Sequence, residues 1–149
     1  MEAVADLEVR ALVTVGDNGD LGMLGLLPPR VRVARFVPQA RVLPKASLVI
    51  SHGGSGTMLG ALAYGLPQLI LPQGADQFDN AALIDGLGAG LFLPPEEATV
   101  DAIRDVARRL LIEPTFLAAA IDIQRDIEDM PTVIDAVATV EEFVLRTAR

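Results

Sequence analysis

Five short runs of apolar, often β-branched residues punctuate the chain: Val9 to Val15, Val31 to Val37, Ala46 to Ser51, Gln68 to Leu71 and Gly90 to Leu93. Most are apolar almost throughout instead of alternating, the pattern of parallel strands covered by helices on both faces. Between and after them the apolar spacing lengthens to three or four. Thr57 to Tyr64 follows a glycine cluster and stops before Gly65-Leu66-Pro67, a helix terminator. Asn80 to Gly86 predicts a short helix closed by Gly86 and Gly88. Thr99 reads as the N-cap of Val100 to Leu111, where Ile103, Val106, Ala107 and Leu110 form one stripe. Glu113-Pro114 interrupts, and Thr115 to Glu128 resumes with Leu117, Ile121 and Gln124 at helical spacing. Pro131 opens the last helix, with Ile134, Val137, Val140 and Val144 along it. Strand–helix repeats followed by a helical tail predict an α/β fold, a Rossmann-like doubly wound parallel sheet with helices on both faces.

The start is unusual. Glu2 to Asp6 reads as the last turn of a helix that enters a strand directly, without the central strand and glycine-rich loop that open such a sheet. The expectation is a single domain over residues 1–149, a fragment that lacks its usual first strand. In the order 3-2-1-4-5-6 that strand lies between Val9–Val15 and Ala46–Ser51. These two either close up directly or leave edges for another chain, which would make a homodimer.

Composition narrows the field. Of 149 residues 51% are apolar and 21% charged, which excludes a disordered chain. No apolar run reaches the roughly 18 residues that span a bilayer, and no basic-then-apolar leader opens the chain. A cytoplasmic, membrane-free protein is expected. The absence of cysteine excludes disulfides, zinc–thiolate sites and thiol catalysis. Twelve basic against twenty acidic residues leave a net charge of −8, a poor match to nucleic acid. A phosphate ligand would have to be held by local backbone dipoles and a few polar groups.

The segment Ser51-His52-Gly53-Gly54-Ser55-Gly56-Thr57 follows a buried run and opens a helix. Glycines permit a sharp turn and close approach of a ligand, and the first N–H groups of the helix carry its positive dipole end. Ser55 and Thr57 add hydroxyls and His52 a ring nitrogen, together a diphosphate cradle that needs no net positive charge. Plainer readings stand beside it: turn glycines, a packed histidine, hydroxyls that merely cap the helix. The pattern is neither G-x-G-x-x-G nor a Walker loop. Gly16, Gly19 and Gly22, interleaved with Asp17, Asn18 and Asp20, read as a surface loop.

The fourth run ends in Pro72, and Gln73 to Asn80 emerges at the same carboxyl edge of the sheet. Asp76 offers a carboxylate acceptor and Gln77 an amide, a pair that suits vicinal sugar hydroxyls. The alternative is an acidic N-cap for the next helix. One histidine, no cysteine and no further acidic cluster argue against a metal site.

In sequence, His52-Gly-Gly-Ser-Gly-Thr57, Ala61-Leu62, Gly65-Leu66-Pro67, Pro72, Asp76-Gln77 and Asn80-Ala81 resemble the donor-binding box of GT-B glycosyltransferases, with Phe36-Val37-Pro38-Gln39 as its start. These are inverting, nucleotide-sugar-dependent enzymes of natural-product and antibiotic biosynthesis. The match runs in order from Phe36 to about Gly90, and weaker similarity reaches about Phe143. The resemblance implies that Phe36 stacks on the base, the Val37 backbone bonds it, and Gln39 lies near base or ribose. It implies that His52, the N–H groups of Gly53, Gly54, Ser55, Gly56 and Thr57, and the Ser55 and Thr57 hydroxyls hold the diphosphate. Asp76 and Gln77 would hold the donor sugar. No metal or other cofactor is implied.

Two departures bear on function. Plant members carry a ribose-binding glutamate where this chain has Gly60, which favours a TDP over a UDP sugar. The acceptor domain and its catalytic base have no counterpart here, so the implied activity is the donor half of a transfer to a small hydrophobic acceptor such as a polyketide aglycone. Alternatives are a sterol or lipid-linked sugar transferase, a sugar-nucleotide epimerase of the same fold, and a non-catalytic assembly module. Without the box, Phe36 at a strand end would read as core packing.

Overall fold

The computed structural model describes residues 2–5, 7–19 and 27–147. The chain runs α1 (Glu2–Ala5), β1 (Ala11–Thr14), β2 (Val31–Ala34), α2 (Gln39–Val42), a 3-10 turn (Leu43–Lys45), β3 (Val49–Ser51), α3 (Ser55–Leu62), β4 (Gln68–Ile70), α4 (Gln77–Gly86), β5 (Gly90–Phe92), α5 (Val100–Ile112), α6 (Pro114–Glu128) and α7 (Val133–Thr147). All strand pairs are parallel, as the apolar runs predict.

The sheet is divided. β1 pairs with β2, and β3 pairs with β4, which pairs with β5. Among the described residues no ladder joins β1 to β3, so the two strands do not close up directly, which corrects that half of the expectation. A ladder needs backbone within about 5 Å, and the pairing stops on either side of the place the expected strand would fill, β1 binding only β2 and β3 only β4 among the described residues. The strands beside the division keep half-exposed apolar side chains, Leu12 on β1 and Ile50 on β3. β4, paired on both sides, is buried at every position.

Period-2 geometry on β4 separates two cores. Ile70 faces Met58 and Leu62 of α3, Ala81 and Ile84 of α4, and Ala120 of α6. Its neighbour Leu69 faces the opposite layer, with Leu7, Leu93, and Ala107 and Leu110 of α5. Gln68, wholly buried, donates its amide to the Met58 carbonyl at 3.2 Å and so ties β4 to α3. Helices on both faces of a parallel sheet are what nearly continuous apolar strands require.

Boundaries differ from the sequence pattern in a consistent way. The strands are shorter than the apolar runs: Val31–Val37 ends at Ala34, and Ala46–Ser51 starts at Val49. The helices start earlier at the glycine and Asp-Gln loops, at Ser55 and Gln77. Thr99 caps α5 as expected, accepting from the Ala102 N–H at 3.2 Å. Gly16 has φ +74° in its loop, and Gly22 lies outside the described residues.

α7 has no buried residue, and its stripe of Val137, Val140, Phe143 and Val144 lies open. Local bonds hold its start. The Thr132 hydroxyl donates to the Asp135 carboxylate at 2.7 Å, the Thr132 N–H donates to the same oxygen at 2.8 Å, and the Asp135 N–H returns to the hydroxyl at 3.3 Å. This reciprocal cap holds the Asp135 carboxyl below its ordinary range, chiefly through the hydroxyl bond. A depressed carboxyl contributes stability above its unfolded value that is lost as pH falls through the folded one. Two-dimensional NMR on a T132A variant is expected to show the Asp135 titration moving up toward the ordinary carboxyl range and the first turn of α7 fraying; an unmoved titration would remove the hydroxyl bond from the account.

Candidate functional site

The site forms where β3 and β4 deliver their carboxyl ends to two loops. Past Ser51 the chain turns at Gly53, whose φ of +82° only glycine adopts without strain. A Cβ there would also sit 2.6 Å from Ile70 Cγ2, so the turn rests directly on the core. Gly54, the N-cap of α3, is pressed by His52, whose Nε2 would lie 2.7 Å from a Cβ at 54. His52 is thereby laid, exposed, against the first turn of α3.

Not every donor of the expected cradle is free. The Gly53 N–H donates to Ser51 Oγ at 3.1 Å, and the Thr57 N–H to the Gly54 carbonyl at 3.0 Å. The N–H groups of Gly54, Ser55 and Gly56 have no partner among the described residues, and Ser55 and Gly56 are exposed. Three backbone donors, not five, are therefore available to an anion. Thr57 Oγ1 accepts from the Gln39 amide at 2.9 Å, which leaves its own proton to donate outward and polarises it for doing so. The Ser55 hydroxyl is differently placed: it donates to Asp76 Oδ2 at 2.9 Å. Its proton is spent on the carboxylate.

The second loop approaches from the end of β4. Ala75 adopts φ +53°, a left-handed conformation that costs a non-glycine residue about 1 kcal/mol. Gln77 holds the loop there, its Oε1 accepting from the N–H groups of Gln73 (2.7 Å) and Gly74 (3.2 Å). The acceptor end of that amide is thus occupied, and its NH2 end has no partner among the described residues. Asp76 occupies the N-cap position of α4 without making a cap bond; its Oδ2 instead takes Ser55 and, at 3.2 Å, the Asn80 amide. Oδ1 has no partner among the described residues. A carboxylate acceptor and an amide donor on adjacent residues are the complement of a vicinal diol.

The remaining expected residues fall on one side. Phe36, past the end of β2, is 73% exposed, so the core-packing reading fails: apolar burial cannot be what places a ring that stays in water. Val37 is half-buried beside it. Gln39 opens α2, and its Oε1 would lie 3.3 Å from a Cβ at Gly60, so the missing side chain leaves room for that amide. Two features escaped sequence reasoning: α2 itself, hidden by its flanking Pro38 and Pro44, and the reach of Asn80 into the glycine turn. Asn80 donates to the Gly53 carbonyl at 2.8 Å and lies 3.3 Å from Ser55 Oγ. Asn80 figured in the sequence only as part of the resemblance, with no role attached to it. Among the described residues no three His, Asp or Glu side chains converge as metal ligands, and no helix is long and apolar enough to cross a membrane.

The family model for the C-terminal domain of erythromycin biosynthesis protein CIII-like proteins matches residues 1–143. Elloramycin glycosyltransferase ElmGT of Streptomyces olivaceus is 44% identical over 137 residues, covering 92% of this chain and 34% of that protein. Among solved structures, glycosyltransferase VinC in complex with dTDP has a TM-score of 0.90 at 35% identity, covering 97% of this chain and 36% of that one. Spinosyn rhamnosyltransferase SpnG complexed with thymidine diphosphate has a TM-score of 0.86 at 35% identity, covering 94% and 38%. This chain spans about a third of the length of such relatives.

The two loops differ in how they respond to substitution. Gly53→Ala combines a left-handed φ with a clash on Ile70 and is expected to destabilise by roughly 2–4 kcal/mol. Gly74→Ala meets nothing within 4 Å and is expected to be near neutral. Ala75→Gly relieves the strained φ and is expected to stabilise by up to about 1 kcal/mol. Urea denaturation midpoints measure all three, and a tolerated Gly53→Ala would contradict the geometry of the turn.

Proposed function

The chain belongs to the erythromycin biosynthesis protein CIII-like C-terminal domain family, and from that membership we propose that it is the donor-binding half of an inverting glycosyltransferase. The intact enzyme moves a sugar from a TDP or UDP donor to a small hydrophobic acceptor such as a polyketide aglycone, in the cytoplasm. One observation carries the reading: the open N-terminus of α3 and the Asp76–Gln77 pair are in direct contact, through the 2.9 Å bond from Ser55 to Asp76. Anion donors and diol partners stand side by side, as a nucleotide sugar requires.

In this reading the chemistry follows from charge. A base on the acceptor side, outside this chain, removes the proton of the acceptor hydroxyl, whose oxygen attacks the anomeric carbon. The bond from that carbon to the diphosphate breaks, and its electron pair leaves on the β-phosphate. The Gly54, Ser55 and Gly56 N–H groups, the Thr57 hydroxyl and His52 meet that charge as it develops, already oriented. Asp76 Oδ1 and the Gln77 amide fix the sugar so that the bond to be broken points at them. Phe36 offers its exposed ring to the base, with Val37 and Gln39 beside it. The similarity to VinC, in complex with dTDP, and to SpnG, complexed with thymidine diphosphate, supports a thymidine donor, and so does Gly60, where a ribose-binding carboxylate would otherwise stand.

Calorimetric titration of this chain with dTDP and with a dTDP-hexose separates the two halves of the site. His52→Ala is expected to weaken both ligands by about tenfold. Asp76→Asn is expected to leave dTDP within a few-fold while removing most of the extra affinity that the hexose confers. Turnover of the donor by this chain alone is expected to be absent. Nucleotide affinity that is indifferent to His52→Ala would favour a non-catalytic module instead.

A further inference from the structure

One side chain touches both halves of the proposed site and has no role in it so far. Asn80, half-buried on the first turn of α4, directs a single amide nitrogen at three oxygens: the Gly53 carbonyl at 2.8 Å, Asp76 Oδ2 at 3.2 Å and Ser55 Oγ at 3.3 Å. An amide nitrogen has two protons. The short bond takes one, to Gly53, and the carboxylate and hydroxyl share the other.

The bond to Gly53 matters because of what the peptide plane does next. A trans peptide points its C=O and the following N–H in opposite directions. Fixing the Gly53 carbonyl on Asn80 therefore turns the Gly54 N–H away from α4, toward the side on which it finds no protein partner. Both residues flanking that plane are glycines, which reach either sign of φ at little cost. Rotation of the plane is accordingly cheap unless something holds it. Rotated, it would present a carbonyl oxygen where an anion has to bind, and replace attraction by repulsion.

We propose that Asn80 is a positioning residue that locks the Gly53–Gly54 peptide with its N–H toward the leaving diphosphate, and with the same nitrogen holds Asp76 in register with α3. The assignment rests on the donor-binding reading above. It makes the diphosphate, not the nucleoside, the part of the ligand that senses Asn80. The nucleoside contacts lie at Phe36 and Gln39, which Asn80 does not touch.

The test compares dTDP with thymidine on this chain, by calorimetry and by ¹⁵N-resolved NMR titration. Asn80→Ala is expected to weaken dTDP about tenfold and thymidine less than twofold. Asn80→Asp, which replaces the donor by a charged acceptor, is expected to weaken dTDP further and again to spare thymidine. In the wild-type protein the Gly54 amide is expected to move strongly with dTDP and little with thymidine. An unchanged ratio of the two affinities in both variants would overturn the proposal, as would equal losses for both ligands, the mark of a merely structural residue. A wild-type Gly54 amide that ignores bound dTDP overturns it even where neither variant folds. Absence of any dTDP binding by the wild-type chain instead removes the donor-binding reading itself, and the proposal with it, so the two failures are told apart.

Discussion

A diphosphate carries more than one negative charge, and this chain already carries a net −8. The long-range field therefore opposes the ligand, and binding has to come from donors within hydrogen-bond distance. The first turn of α3 supplies them: unpartnered N–H groups at Gly54, Ser55 and Gly56, with the helix dipole behind them. Everything else about the site follows from keeping that turn open and aimed. Gly53 must take a left-handed φ against Ile70, His52 must lie on Gly54, and α4 must come close enough to hold the loop. The fold meets these demands by ending two adjacent parallel strands at one edge, so that both loops are fixed by a paired ladder whose inner strand, β4, is fully buried.

The hydrogen bonds sort the polar side chains by what they have left to offer. A hydroxyl has one proton, and Ser55 has given its proton to Asp76, whereas Thr57 accepts from Gln39 and keeps its own. Gln77 has committed its oxygen to two backbone N–H groups and keeps its NH2. Asp76 retains one carboxylate oxygen. The residual capacities are complementary to a sugar phosphate: donors at α3, an acceptor and a donor beside them. Sequence alone could place these residues on the same edge, but it could not say which proton of each was already taken.

That difference sets how much was legible in advance. The strand–helix order, the two-faced burial of Leu69 and Ile70, and the Thr99 cap were readable because each depends on local pattern. Strand ends were overestimated because an apolar run can continue past the last inter-strand bond, as Phe36 and Val37 do into a loop beyond the Arg35 carbonyl. Phe36 could be read either way, since a ring at a strand end fits a core as well as a ligand; only its exposure decides. Asn80 was invisible as a positioning group because two of its three partners, Gly53 and Ser55, are 27 and 25 residues away in the chain. The division of the sheet was foreseen as an absence, yet whether the flanking strands would pair is a contact between segments distant in the chain, which local pattern does not carry.

A crystal structure of this chain with dTDP bears most directly on the account. It should show the diphosphate oxygens within about 3 Å of the Gly54, Ser55 and Gly56 nitrogens, with the Thr57 hydroxyl and the His52 ring in contact and the Gly53 carbonyl still turned to Asn80. A diphosphate bound elsewhere, with those three N–H groups still facing solvent, would contradict it.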